Sequence, residues 1–313
     1  MALALGAAPA AAEILGSGAP PNTTASGFAG DWNNVLSFTD FSGGTVSAVY
    51  LGDGYVLSAF HTVVSGYPSS VPIGGDTYNV VAGSGVQLQD SPNNSPDLVL
   101  FQVSQTSTTG DPLTLPAIPV SSVTPGIGAT VYSAGFGPVA GTFSYFDANW
   151  TPQSTYQGPS SSDPSVYSGY YAGATIGKTW GTAEVSGYPG SFNIGYGTVT
   201  PFTTTFAANT FQLSGGDSGG PVFNSQGVLV GINDAIGTFT GQPGSAAVFG
   251  NQSYFIDLST VTASLLAADP AVMLVPEPGG WLLGAEAAAV VGLFGLRRRF
   301  GWQPARPGRK PKH

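Results

Sequence analysis

The sequence predicts an all-β protein followed by a C-terminal segment apolar enough to form a transmembrane helix. The chain of 313 residues contains 46 Gly and 25 Pro. Together with Asn, Asp, Ser and Thr, these separate short apolar runs of strand length. A Gly and Pro content this high can indicate disorder. The hydrophobic fraction of 42% and aromatic fraction of 12% instead favour a packed, turn-rich β protein of one or two domains.

Strand signals in the first half surround a histidine. Residues 45–51 alternate between apolar and polar side chains, and the pattern resumes at 55–58 after Asp53-Gly54, a pair that suits a type I′ turn. This predicts a hairpin that ends beside His61. Further strands are predicted at 78–81, 86–88 and 97–103.

The second half is predicted from a similar pattern. Residues 129–137 are typical of a strand, and 222–233 of a hairpin turning at Gly227. The Gly-, Ser-, Tyr- and Asn-rich residues 138–197 predict decorated loops around one or two strands. A short helix is predicted to begin at Ser259, which is a suitable N-cap.

The charge distribution excludes a nucleic-acid partner for the folded part. Residues 1–296 contain all 17 acidic residues and a single base, Lys178, whereas the other seven bases lie within 297–312. Phosphate binding requires Lys and Arg. The acidity suits solubility outside the cell, and a preference for basic substrates is the alternative. The absence of cysteine excludes disulfides, and no zinc or calcium ligand spacing occurs, so we predict no metal or cofactor.

The first 12 residues are predicted to be the remnant of a signal peptide. They are small and apolar, and Ala10-Ala11-Ala12 satisfies the small-x-small rule for cleavage before Glu13. A disordered Ala-rich terminus is the alternative. Residues 13–40, rich in Gly, Pro, Asn and Thr, are predicted to be a linker with little fixed structure.

The most specific motif is the hexapeptide Gly-Asp-Ser-Gly-Gly-Pro at 216–221. A serine nucleophile needs a histidine base and a carboxylate that orients the base. One of the two histidines is the last residue, which leaves His61, preceded by Ser58-Ala59. An aspartate follows in Asp97-Leu-Val-Leu. The chain order is therefore His, Asp, Ser.

These three segments resemble the blocks of the trypsin/chymotrypsin-like serine protease family (peptidase S1, PA clan). The resemblance covers about residues 40–265. It implies two six-stranded antiparallel Greek-key β-barrels, at 41–125 and 126–268, joined through 112–125 and closed by a short C-terminal helix.

The resemblance also implies roles for individual residues. Ser218 would be the nucleophile, His61 the base and Asp97 the residue that orients it. The backbone N–H groups of Gly216 and Ser218 would form the oxyanion hole. Gln212, six residues before the nucleophile, would lie at the base of the primary substrate pocket. Because Gln212 is neutral, selection for Arg or Lys is not expected.

Asp217 is the motif residue whose partner is not evident. In many family members the equivalent carboxylate is buried and pairs with an amino terminus freed by zymogen cleavage. This sequence has no basic cleavage site before the first barrel and no Ile-Val-Gly-Gly-like start. A buried, unpaired carboxylate is costly. One hypothesis is that Lys178 pairs with Asp217, and the alternative is a solvated Lys178 with Asp217 held by backbone N–H groups.

The C-terminal segment at 269–313 resembles the PEP-CTERM sorting signal of Gram-negative bacteria. A Pro-Glu-Pro motif at 276–278 precedes an apolar stretch at 279–296, which is about 27 Å long as a helix and just spans a bilayer core. Three arginines follow, as the positive-inside rule requires. Glu286 within the span departs from the pattern. The resemblance implies exosortase recognition and cleavage near the motif, and a plain membrane anchor is the alternative.

Together these features predict an exported serine endopeptidase that hydrolyses protein or peptide substrates through an acyl-enzyme intermediate. It would be anchored transiently in the inner membrane of a Gram-negative bacterium through 279–296, and then occupy the cell envelope or the extracellular space. A non-catalytic protease-fold binding protein of the envelope or matrix, and an esterase using the same triad, are the alternatives.

Overall fold

The computed structural model describes residues 3–5, 13–17, 21–153, 155 and 167–276. The described residues up to 275 form one compact unit, and they confirm the all-β fold class with one short α-helix. The predicted span at 279–296 and the Arg cluster lie outside the described residues. No helix among the described residues is both long and apolar enough to cross a membrane.

The elements of the first half are short strands and two turns of 3-10 helix. The strands are β1 (Leu3–Leu5), β2 (Ile14–Leu15), β3 (Val35–Thr39), β4 (Thr45–Gly52), β5 (Tyr55–Ala59), β6 (Ser70–Ile73), β7 (Asp76–Asn79), β8 (Val86–Gln87), β9 (Leu98–Gln102) and β10 (Pro119–Ser121). The 3-10 helices are Trp32–Asn34 and Phe60–Thr62.

The first half forms an antiparallel five-stranded sheet in the order β3-β4-β5-β9-β8, with β6 and β7 as a separate hairpin. The expected barrel of six strands is therefore not one continuous ladder. Pro72 in β6 has no N–H to donate, which disfavours a second partner strand. The hairpin nevertheless shares the core of the sheet, because Val71 and Tyr78 pack in the same apolar cluster as Val56 and Phe101.

The predicted linker at 13–40 is wrong for the residues that the structure describes. Glu13 and Ile14 are buried, Phe28 belongs to the main apolar cluster, and β3 lies within this segment. Its Gly and Pro residues mark turns between packed pieces rather than a free connection.

The second half contains longer strands. These are β11 (Thr130–Phe146), β12 (Pro152–Gln153), β13 (Tyr167–Gly187), β14 (Phe192–Asn193), β15 (Thr198–Val199), β16 (Pro201–Thr205), β17 (Phe211–Gln212), β18 (Pro221–Asn224), β19 (Leu229–Phe239), β20 (Ala246–Val248), β21 (Gln252–Asp257) and β22 (Met273–Val275). A 3-10 helix at Leu258–Val261 leads into the α-helix α1 (Thr262–Ala268).

Six of these strands form the predicted closed barrel. The strands β11, β13, β16, β21, β19 and β18 pair in this order, and β18 pairs back to β11. Buried side chains of these strands form one apolar cluster, among them Val131, Phe202, Val222 and Phe255, and Phe211 of β17 packs in the same cluster. The barrel is therefore a packed core.

Two details of the second half differ from the prediction. Residues 138–197, expected to be decorated loops around one or two strands, contain most of a long antiparallel pair, β11 and β13, with register shifts near Ala140. Its strands are partly solvent-exposed on both faces, so they lack the apolar alternation that identifies a strand. The helical segment is capped by Asp257 rather than Ser259, because the Asp257 carboxylate accepts a hydrogen bond from the Ser259 N–H at 2.9 Å.

Candidate active site

The predicted hairpin delivers His61 to its position. Asp53 and Gly54 both have positive φ, at 49° and 86°, which is the conformation that a type I′ turn requires. The second strand, β5, ends at Ala59 and continues into the 3-10 turn Phe60–Thr62 that carries His61. The Thr62 hydroxyl donates to the Ala59 carbonyl at 2.7 Å, which fixes this turn.

Asp97 is fully buried and contacts His61 through both carboxylate oxygens. Its Oδ1 accepts a hydrogen bond from the backbone N–H of His61 at 2.7 Å, and its Oδ2 makes a short contact with His61 Nδ1. The Phe60 N–H also donates to the Asp97 carbonyl. The imidazole is thereby held by Nδ1, which leaves Nε2 for a different partner. The ring of Tyr196 packs against the imidazole, with 5.7 Å between ring centroids.

The loop carrying Ser218 lies against the strands that lead to His61. Ser47 on β4 donates its N–H to the Ser218 carbonyl at 3.0 Å and its hydroxyl to the Gly216 carbonyl at 2.5 Å. Gly219 lies so close to Ser58 and Ala59 that a side chain there would overlap with them. The structure therefore brings the hexapeptide to the end of β5, the strand that the His61 turn continues.

The backbone of this loop is compatible with an oxyanion site. Gly216 has φ of 104°, a conformation that a side chain would disfavour. The hydrogen bonds found among the described residues leave the N–H of Ser218 without an acceptor. Ser218 itself is half-buried. These features provide a donor near the nucleophile, which is what stabilisation of a developing oxyanion requires.

Lys178 does not pair with Asp217, so that hypothesis is wrong. The Lys178 ammonium contacts the Trp32 carbonyl and lies 4.4 Å from the centroid of the Trp32 ring. Phe136, which faces Lys178 across β11 and β13, adds a second aromatic contact. Burial lowers the pKa of Lys178 to about 8. Lys178 therefore makes a cation–π contact and is not the partner of Asp217.

Asp217 instead shares its surroundings with another carboxyl group. Its Oδ2 accepts a hydrogen bond from the Ser214 N–H at 2.9 Å, whereas Oδ1 has no donor among the described residues. The fully buried Glu13 lies close enough for its charge to interact with that of Asp217. Glu13 precedes β2, and β2 pairs with β17 just before the Ser218 loop.

Burial sets the protonation of this pair. Loss of hydration raises the pKa of Asp217 well above its usual value. Burial likewise raises the pKa of Glu13, the charge of Asp217 raises it further, and weaker contacts with Ser133 and Gly181 offset only part of this. Sequence reasoning missed Glu13 because the pairing of β2 with β17 joins residues almost 200 positions apart.

Asp234 is a second group that sequence reasoning missed. It is buried on β19, and its carboxyl group, Asp97 and His61 each offer an atom within 4.8 Å of the others. Burial raises the pKa of Asp234 well above its usual value, and the nearby Asp97 adds to this shift. An Asn-Asp pair interrupting an apolar run was the available signal. The donor atoms of these three residues are of types that ligate metals, but His61 Nδ1 and Asp97 Oδ2 already contact each other.

Gln212 lies on β17, where it pairs with Ile14. Its side chain is almost completely buried, and its Oε1 has no hydrogen-bond donor among the described residues. Its role at the base of a substrate pocket stays a prediction.

Comparison with protein families gives one match, to the trypsin-like peptidase domain, over residues 44–232. That range includes His61, Asp97 and Ser218. No curated protein matches the sequence.

Solved structures of proteases show weak overall similarity. An inactive form of the Rv3671c protease from M. tuberculosis H37Rv is 13% identical with a TM-score of 0.44, and the match covers 76% of this chain and 89% of that one. A serine endoprotease from Yersinia pestis is 18% identical with a TM-score of 0.44, over 79% of this chain and 65% of that one.

Proposed function

The chain belongs to the trypsin-like peptidase family, and on this premise we propose that it is an exported serine endopeptidase with Ser218 as its nucleophile. One observation carries the proposal. Asp97, buried, binds both the backbone N–H and the Nδ1 of His61, while the hexapeptide loop packs on the strands that lead to that histidine. Such an oriented imidazole beside a serine loop is the arrangement that nucleophilic acyl transfer needs.

The proposed reaction has two halves. His61 Nε2 accepts the proton of the Ser218 hydroxyl as Ser218 Oγ attacks the peptide carbonyl, and the carbonyl oxygen becomes an oxyanion near the N–H groups of Gly216 and Ser218. His61 then gives this proton to the leaving amine, so that the C–N bond breaks and an acyl-enzyme remains. Water then hydrolyses the acyl-enzyme ester. His61 accepts a proton from the attacking water and afterwards gives it to Ser218 Oγ as the ester bond breaks. Asp97 stays ionised and stabilises the imidazolium formed in each half.

The proposed substrates are proteins or peptides with a neutral side chain at the cleaved position. A basic side chain entering a deep primary pocket needs a carboxylate at its base. The residue that the family resemblance assigns to that place is Gln212, which carries no charge. Cleavage after Arg or Lys is therefore not proposed.

Export supplies a further element of the proposal. Signal-peptide cleavage after Ala12 would create an α-amino group on Glu13, a residue buried beside Asp217. An ammonium there would offset two carboxyl groups that lack a cation among the described residues. We therefore propose that removal of the leader provides the partner of Asp217 that Lys178 does not.

Release from the membrane is proposed from the C-terminal motif. In this proposal the span at 279–296 anchors the protein in the inner membrane of a Gram-negative bacterium, and an exosortase cleaves near 276–278. The protease then reaches the cell envelope or the extracellular space. Support comes from the order of motif, apolar stretch and Arg cluster in the sequence.

A fluorophosphonate probe and a casein assay test the proposal together. The wild-type protein should be labelled at Ser218 and should cleave casein, and Ser218→Ala should lose both activities. Ser225→Ala, at an exposed serine in the following hairpin, is the matched control and should keep both. Absence of labelling would refute catalysis and favour a binding protein. Labelling without proteolysis would refute the endopeptidase and favour an esterase.

A further inference from the structure

β19 contains an irregularity beside the candidate active site. Asn233 pairs with Phe255 on β21, and Ala235 pairs with Tyr254, so Asp234 is an extra residue without a partner in the ladder. This is a β-bulge, which turns a side chain out of the regular alternation and is common next to active sites. The bulge is what turns Asp234 towards Asp97 and His61.

The position of the bulge is fixed from the nucleophile side. Asn233 exchanges backbone hydrogen bonds with the hexapeptide loop, donating to the Gly220 carbonyl at 2.8 Å and accepting from the Gly219 N–H at 2.9 Å. Its side chain bonds to Ser133 and to the Ala134 carbonyl. Of two consecutive residues on β19, Asn233 therefore holds the Ser218 loop and Asp234 faces Asp97.

The groups around Asp234 leave Asp97 as its one consistent hydrogen-bond partner. Both of its carboxyl oxygens are buried and have no hydrogen-bond donor among the described residues. The titratable groups that face it are Asp97 and His61. The Tyr254 hydroxyl on neighbouring β21 bonds to Gln252 instead. The single described Lys contacts Trp32. Two ionised carboxylates at this distance in a buried site repel each other strongly.

Asp97 has room for one more donor. Each carboxylate oxygen can accept two hydrogen bonds, and the His61 contacts use one on each. A protonated carboxyl group at 234 could fill a remaining place. The two buried carboxyl groups would then carry a single negative charge between them.

We propose that Asp234 is a positioning residue that acts as a neutral carboxylic acid and donates a hydrogen bond to Asp97, and so orients Asp97 towards His61. The inference rests on the proposed protease function, since it assigns a role within that site. Ionisation of Asp234 would remove the donor and place a second negative charge beside His61. Asp97 then loses the group that orients it, so the proposed activity falls on the alkaline side.

Two variants separate donation from mere packing. Asp234→Asn keeps an N–H donor and cannot ionise, so it should keep kcat close to that of the wild type and lose the alkaline decline attributed to Asp234. Asp234→Ala removes the donor and should lower kcat by up to about 100-fold with little change in KM, because misorientation of a catalytic group has effects of this order. An Asn variant as impaired as the Ala variant, or an Ala variant with the wild-type pH profile, would overturn the proposal.

A readout that needs no activity keeps the test independent. In protein labelled with ¹⁵N-histidine, the His61 resonances should shift with pH as Asp234 loses its proton, and should not show this step in Asp234→Asn; His313→Gln assigns the other histidine. An identical titration in both proteins would overturn the proposal. Failure of Ser218 labelling in the wild type would refute the protease function, while the NMR titration would still decide the role of Asp234.

Discussion

Replacing Glu13 with glutamine should change how the stability of the protein depends on pH. Glu13 is fully buried beside Asp217, and burial raises the pKa of both carboxyl groups. Between the pKa of the unfolded chain, about 4.3 for Glu, and the raised value in the fold, the folded state holds a proton that the unfolded chain has released. The free energy of unfolding therefore falls as the pH rises through this window.

The size of the effect follows from proton counting. Each retained proton gives a slope of about −1.4 kcal/mol per pH unit. Three buried carboxyl groups, Glu13, Asp217 and Asp234, have raised pKa values, so their combined slope is at most about −4 kcal/mol per pH unit where all three apply. Glu13→Gln removes one ionisable group, and the slope should become shallower by about 1.4 kcal/mol per pH unit.

Urea unfolding followed by Trp fluorescence, from about pH 5 to about pH 7, measures this slope in protein that carries residues 1–12. Glu184→Gln is the matched control, because Glu184 is exposed on β13. The control should give a line parallel to that of the wild type. A Glu13→Gln line that is also parallel to the wild type would show that Glu13 is ionised in the fold, and would refute the reasoning.

Three further predictions concern the same region. A protein that begins at Glu13 should be more stable near neutral pH and more active than one that carries residues 1–12, because its α-amino group can pair with Asp217, and chemical acetylation of that group should reverse the gain; equal stability and activity would contradict this. Gly219→Ala should abolish activity and destabilise the fold, since φ is 86° and the new methyl group would overlap with Ser58, as a thermal unfolding scan and the casein assay will show. Lys178→Met should leave kcat unchanged, and in urea titrations it should remove the rise in stability expected between about pH 8 and 10.5, where the unfolded chain still binds the proton that the buried Lys178 has released.

The features that the sequence predicted well are local. The hairpin that ends at His61 follows from the alternation of apolar and polar side chains and from the turn at Asp53-Gly54. Both signals lie within one short stretch of the chain. The hexapeptide predicts a glycine-lined turn, and the structure shows positive φ at Gly216 and Gly219. The contact between His61 and Asp97 was expected from a family resemblance rather than from spacing.

The features that the sequence did not predict depend on distant pairing. Glu13 becomes buried because β2 pairs with β17, and no local pattern distinguishes this segment from a linker. Asp234 reaches the site through a bulge, whose position is set by two partner strands. The predicted Lys178–Asp217 pair is wrong for a related reason. The prediction considered only charged partners, whereas Lys178 contacts the aromatic ring of Trp32, which is distant in sequence.

The last described strand has a consequence for how much of the chain the fold needs. β22 pairs in parallel with β10, and the Ser122 N–H donates to the Val275 carbonyl at 2.9 Å. These hydrogen bonds end one residue before Pro276. A cut beyond Pro276 therefore breaks none of the backbone pairing described for β10 and β22, whereas a cut before Met273 removes this edge strand. The C-terminal limit of the described sheet is thus set by a hydrogen-bonded strand that ends before the Pro-Glu-Pro sequence at 276–278.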